Sequence, residues 1–160
     1  MKSKRAVATF CLLCIPLLLL AKGPTLKIRI KGGDLRSPIE IDDKLVLEKF
    51  QVWAGAGTTP QTEGFIVDWG RGPLAEQVTS KLPRYEVSFD VTHQGPSSYV
   101  VSYAFDPATG NGYVYLPGKG EKFYESNTFL IFRRVEGKWL YATSAWTDLA
   151  KSLIEHAKAR

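Results

Sequence analysis

The chain reads as an α+β protein: an antiparallel β-sheet meander, a short N-terminal helix, and a C-terminal amphipathic helix packed on one face of the sheet. Three observations predict this. Strict alternation in YEVSFDV places Tyr85, Val87, Phe89 and Val91 on one face, and YVVSYAF does the same with Tyr99, Val101, Tyr103 and Phe105. The turn-forming stretches HQGPSS, DPATGNG and PGKGE separate successive β-runs by fewer residues than a parallel crossover needs, so the strands must run antiparallel. From Ser144 onward, Trp146, Leu149, Ala150, Leu153, Ile154 and Ala157 recur at spacings of three and four, which makes an apolar stripe on a helix. That stripe needs a partner, and the inner face of the sheet supplies one.

In chain order, MKSKR followed by AVATFCLLCIPLLLLA reads as the basic and apolar regions of a secretory signal peptide over residues 1–21, with cleavage after Ala21. The apolar run ends at residue 21 and is interrupted by Pro16, so it falls short of the roughly 20 uninterrupted residues of a membrane-spanning helix. An uncleaved N-terminal membrane anchor is the alternative. Both cysteines, Cys11 and Cys14, lie inside this run as small apolar residues, so the mature chain is expected to carry no disulfide and to depend on packing. Setting aside Lys2, Lys4 and Arg5 removes three of the 21 basic residues against 16 acidic ones, leaving about +2. The longest remaining basic run is Arg133-Arg134, so no nucleic-acid partner is expected.

Residues 22–160 show no linker, repeat or low-complexity break and read as a single domain. LKIRI at 26–30 alternates as a half-buried strand, and IEI at 39–41 adds a short extended piece. Asp42 is positioned to cap a helix of two to three turns through DKLVLEKFQVW, with Val46, Leu47 and Phe50 inward. FIVDW at 65–69 reads as a short strand, LAEQVTSKL at 74–82 as helical turn or loop, and YVYL, TFLIFRRV and WLYATSAW as further strands. The basic last turn of the final helix suits the negative end of its dipole.

The glycine-rich stretch GNGYVYLPGKGE at 110–121 invites comparison with a phosphate loop. The comparison fails: Gly112 and Gly118 are wrongly spaced, Lys119 is followed by Gly120 rather than Ser or Thr, and no helix opens behind the glycines. Instead Asp106-Pro107 and Pro117-Gly118 are turn dipeptides, with Gly110 and Gly112 expected at positive φ. Asp106, Thr109 and Asn111 carry oxygens suited either to calcium or to bonding their own turn. His93 and His156 are far apart, the cysteines lie in the leader, and HExxH and GxSxG are absent from the sequence, so neither metal nor cofactor is assigned. Glu63 and Asp68 flank a β segment next to Trp69 and are the candidate carboxylate pair for catalysis, though five positions along a strand put them on opposite faces.

Aromatic residues concentrate among glycines at 53–72, where Trp53, Phe65 and Trp69 stand with Arg71; loops on a rigid sheet are where contact residues gather, although large rings also build cores. Tyr99, Tyr103, Tyr113 and Tyr115 would form one tyrosine patch if their strands pair with matching parity. Such a patch serves either a partner or the sheet itself. Trp139 and Trp146 read as core.

The stretches IKGGDLRSPIEI, FQVWAGAGT and FDPATGNGYVYLPGKG resemble those of a family of small exported bacterial proteins of unknown function. The resemblance covers most of the chain after residue 21 and implies a bacterial, exported setting; it implies no activity, cofactor or catalytic residue. Together these readings point to an exported, non-enzymatic binding or interaction module, periplasmic or extracellular, with no membrane span in its mature chain. It would face cell-envelope glycan, a small ligand or an envelope protein. The ligand-binding candidates are Trp53, Trp69, Arg71, Tyr113 and Tyr115. The alternatives are a small carboxylate-dependent hydrolase of envelope glycans and a structural or accessory envelope protein.

Overall fold

The alternating runs assemble into a six-stranded antiparallel sheet in the order β2-β1-β3-β4-β5-β6, built from β1 (Lys27–Gly32), β2 (Ile39–Ile41), β3 (Arg84–Asp90), β4 (Ser98–Asp106), β5 (Asn111–Leu116) and β6 (Lys138–Tyr141). Two helices join it, α1 (Lys44–Lys49) and α2 (Ser144–Lys158). This computed structural model describes residues 24–52, 65–75, 79–91, 98–125 and 135–160. The expected α+β architecture holds, with α2 on one face. The 1–21 leader, Trp53, Glu63, His93 and most of TFLIFRRV lie outside the described residues, and β5 pairs directly with β6. Among the described residues no helix is long and apolar enough to cross a membrane.

Register explains the core. Ile28 opposes Phe89, Val87 opposes Val101, Tyr85 opposes Tyr103, and Tyr103 opposes Val114, so both members of each pair fall on the inner face and bury together. The helix α2 crosses that face, touching β5 and β2. Its Trp146 is fully buried, with Phe50 edge-on at 5.1 Å and the Phe89 and Tyr103 rings at 6.1 Å. Such ring pairs add to the burial of their area. Thr143 caps α2 by accepting from Trp146 N at 3.3 Å.

Three local expectations shift. The cap of α1 is Asp43 rather than Asp42, with Oδ1 accepting from Leu45 N at 2.9 Å and Val46 N at 3.1 Å. The helix is shorter than two to three turns because Phe50 leaves helical geometry and turns its ring onto Trp146. FIVDW is not a regular strand: residues 65–75 follow the outer edge of β6 irregularly, through bridges from Val67 to Ala142 and Pro73 to Leu140. Asp68 explains the break, since its Oδ1 accepts from Gly70 N at 3.0 Å and closes a turn in mid-run.

At the far end of α2, Lys158 Nζ lies 2.6 Å from an Asp34 carboxylate oxygen, and the Tyr85 hydroxyl donates to the other at 2.7 Å. The Lys158 ammonium and then the Tyr85 hydroxyl hold the Asp34 carboxyl below its ordinary range, and the same contact raises Lys158. A depressed carboxylate stabilises fully above the unfolded value near 3.9 and loses that contribution as pH falls through its folded value. Both side chains are more than a third exposed, so we expect Asp34→Asn to cost less than about 1 kcal/mol at pH 7 and less still at pH 2. Urea unfolding of both proteins at the two pH values checks this.

Candidate functional site

The outer face of the sheet, opposite α2, divides into two halves. Over β2, β1 and β3 it is ionic: Lys27 and Arg29 pair with Glu40 at 2.8 and 3.2 Å, Arg29 with Asp90 at 2.7 Å, and Lys31 with Glu86 at 2.8 Å. Exposed pairs like these contribute little stability each, about 0–1 kcal/mol, and they leave few charges in that half uncompensated. Over β5 and β6 the face is aromatic. Tyr113 stands opposite Tyr141 with rings 5.5 Å apart, and Tyr115 opposite Trp139 at 5.3 Å.

This strip is a second, smaller core. Tyr113 and Trp139 are buried with Ala104, and Leu74 and Leu82 pack beside them, while Tyr115 and Tyr141 remain half-buried. Two exposed arginines lie against it. The Arg71 guanidinium carbon sits 3.3 Å above the Tyr141 ring centroid, and that of Arg84 is 5.4 Å from the Trp139 centroid. Arg71 is held there by the edge segment, where Asp68 N donates to Tyr141 O at 2.9 Å and Leu74 N to Trp139 O at 2.8 Å. Arg84 opens β3. Among the described residues neither guanidinium has a carboxylate within ion-pair distance.

Beside Tyr115 the face deepens into a groove of about 230 Å³, floored by Val100 and Ser102 and bordered by Glu86, Pro117, Glu121 and Phe123. The loop over it is fixed: the Tyr115 hydroxyl donates to Glu121 Oε1 at 2.9 Å, and Glu121 Oε2 accepts from Gly118 N at 2.7 Å. Phe123 holds φ at 71°, a left-handed conformation that costs a bulky residue on the order of 1–2 kcal/mol. Strain of this kind gathers where a loop shapes a contact surface.

The sequence candidates therefore separate. Arg71, Tyr113 and Tyr115 come together on this face, with Tyr113 buried and Tyr115 half-buried. Trp69 does not join them; it packs against the main core. The single tyrosine patch does not form either. The turn after β4 sets Asp106 opposite Asn111, so Tyr113 faces Ala104, and Tyr99 and Tyr103 go to the helix side. Burial pushes the Tyr103 hydroxyl well above the ordinary phenol range, with the Thr147 side chain pulling the other way. Trp139 is buried as expected, but in the outer strip. Arg84 and Tyr141 carry no sequence motif; the alternation in KWLY, once paired with YVYL, is the signal that places Tyr141 beside Tyr113.

The turn at 106–111 takes the Asx form: Asp106 Oδ1 accepts from Ala108 N at 2.9 Å and Oδ2 from the Thr109 hydroxyl at 2.8 Å. The Thr109 hydroxyl and the Ala108 amide lower the Asp106 carboxyl. Among the described residues no group of His, Cys, Asp or Glu is arranged to hold a metal ion. Comparison with protein-family models, with curated proteins and with solved structures finds no match to this chain.

Proposed function

We propose that this protein is a non-enzymatic binding module exported to the bacterial envelope, where the aromatic half of its outer sheet face takes an envelope glycan bearing acidic groups. The observation that carries this reading is the pair of exposed guanidiniums, Arg71 and Arg84, set on an aromatic strip with no carboxylate within ion-pair distance among the described residues. A sugar packs against half-buried Tyr115 and the Arg71 guanidinium that lies over Tyr141, and a guanidinium fork matches a carboxylate in a bidentate way. The groove beside Tyr115 gives the chain of sugars a direction across β4 toward Glu86. The charge pattern at the N-terminus supports export, with Lys22 as the first mature residue.

Calorimetric titration of the purified protein with acidic and neutral wall-glycan oligosaccharides tests the reading. Binding of the acidic set is expected to weaken about tenfold in Arg71→Ala and again in Tyr115→Ala, consistent with losing one charge-assisted contact or one stacking ring. Affinity should also fall as salt rises, because exposed charges are screened. The reading is wrong if no glycan binds, or if neutral and acidic oligosaccharides bind alike and Arg71→Ala changes nothing. Recovery of the protein from the periplasm or medium, with its mass starting at Lys22, checks the export.

A further inference from the structure

A second cleft lies on the opposite side of the sheet, where α2 passes the ends of β3 and β4. It holds about 160 Å³ and is lined by Pro83, Tyr85, Phe105, Pro107, Ile154 and the charged residues Lys151, Glu155 and Lys158. Drug-sized ligands occupy roughly 300–1,000 Å³, so the occupant this cleft fits is much smaller. Tyr85 and Ile154 are buried and Phe105 half-buried, giving an apolar floor; the charges stand on the helix at its lip.

Those charges are arranged unusually. Lys158 is already committed to Asp34 at 2.6 Å. Lys151 and Glu155 are one helical turn apart and of opposite sign, yet they do not pair; the Lys151 ammonium leans instead toward the Phe105 ring, 5.8 Å from its centroid. A lysine placed before a glutamate is the weaker order for such a pair on a helix. Among the described residues neither has another ion-pair partner. One cation and one anion, unpaired with each other, therefore stand at the mouth of a small apolar cleft.

We propose that this cleft binds a small zwitterion with an apolar side chain, an α-amino acid or the end of a short peptide. Lys151 receives the carboxylate, Glu155 the ammonium, and the Tyr85–Phe105–Ile154 floor the side chain. Ligand charges of opposite sign, fixed a few bonds apart, match two protein charges that are not paired with each other, whereas a simple acid would leave Glu155 facing its carboxylate. The site is independent of the glycan reading, being on the other face and sharing no residue with it.

Two-dimensional amide NMR of the full protein, titrated with leucine, N-acetyl-leucine and leucinamide, tests the assignment. Leucine is expected to shift signals of Tyr85, Phe105 and residues 151–158, with each blocked form at least about tenfold weaker because it loses one charge contact. Lys151→Gln should remove the preference for leucine over leucinamide, and Glu155→Gln the preference over N-acetyl-leucine. Both substitutions are at exposed helix positions and should leave the thermal midpoint within a few degrees, which separates lost binding from lost fold. Absence of shifts at the cleft at tens of millimolar leucine overturns the proposal, and so does N-acetyl-leucine binding as well as leucine, which would make it a plain carboxylate site.

Discussion

Trp146→Ala is expected to cost about 3–5 kcal/mol, the range for truncating a large aromatic residue in a core. Trp146 sits where three parts of the fold meet: it opens α2, presses on the Phe50 ring beyond α1, and covers Phe89 and Tyr103 of the sheet. Since single domains have only about 5–15 kcal/mol in hand, the variant should unfold at a fraction of the wild-type urea midpoint, or fail to fold at 37 °C. A second substitution separates packing from polarity. Among the described residues the buried Trp146 indole N–H has no acceptor, so Trp146→Phe discards that donor along with part of the ring and should cost less than about 1.5 kcal/mol. Equal losses for the two variants would show that the polar edge, rather than ring volume, holds this junction.

Gly112→Ala is expected to be the most damaging small substitution in the sheet, at about 1–3 kcal/mol. Gly112 lies within β5 and has no positive φ, contrary to the turn role its sequence context implies. Its function is spatial. A Cβ there would stand 2.5 Å from Thr147 Oγ1 and 2.7 Å from the Tyr103 hydroxyl oxygen, inside any permitted contact. The missing side chain is what lets α2 settle directly on the sheet. Gly110 is the internal control: it has φ 71° and open space around it, so Gly110→Ala should cost only the left-handed penalty of about 1–2 kcal/mol. Removing the obstructing hydroxyl in Gly112→Ala/Thr147→Ala should recover part of the loss, whereas the same change should not help Gly110→Ala. Simple additivity in the first double variant would mean that the Thr147 hydroxyl is not what a side chain at position 112 meets.

The contrast between these glycines shows what could be read in advance. Periodicity marked β1, β3, β4 and α2 because each buries one face, and burial leaves a two- or three-to-four-residue repeat in the chain itself. Parity between strands is another matter. Whether Tyr113 joins Tyr103 or turns away depends on one residue in the turn after Asp106, and no local propensity records it. The outer strip was half legible for the same reason. Arg71, Tyr113 and Tyr115 stood out by composition, while Arg84 and Tyr141 acquire meaning only when β6 docks on β5 and the 65–75 segment closes over it. The Lys151–Glu155 cleft was illegible, since its lining comes from positions 83 to 158 and no short motif spans them.

The irregular path of residues 65–75 along β6 has a consequence for the protein's behaviour in concentrated surroundings. A sheet that ends in a straight, open strand invites a neighbouring molecule to add another, and repetition of that event builds aggregates. Here one end is already occupied by a chain whose turn at Asp68 and Pro73 cannot itself template a further strand. The other end, β2, is only three residues long and carries charged Glu40 at its centre. Among the described residues neither border offers a long, straight ladder of free amides and carbonyls for a second molecule to extend.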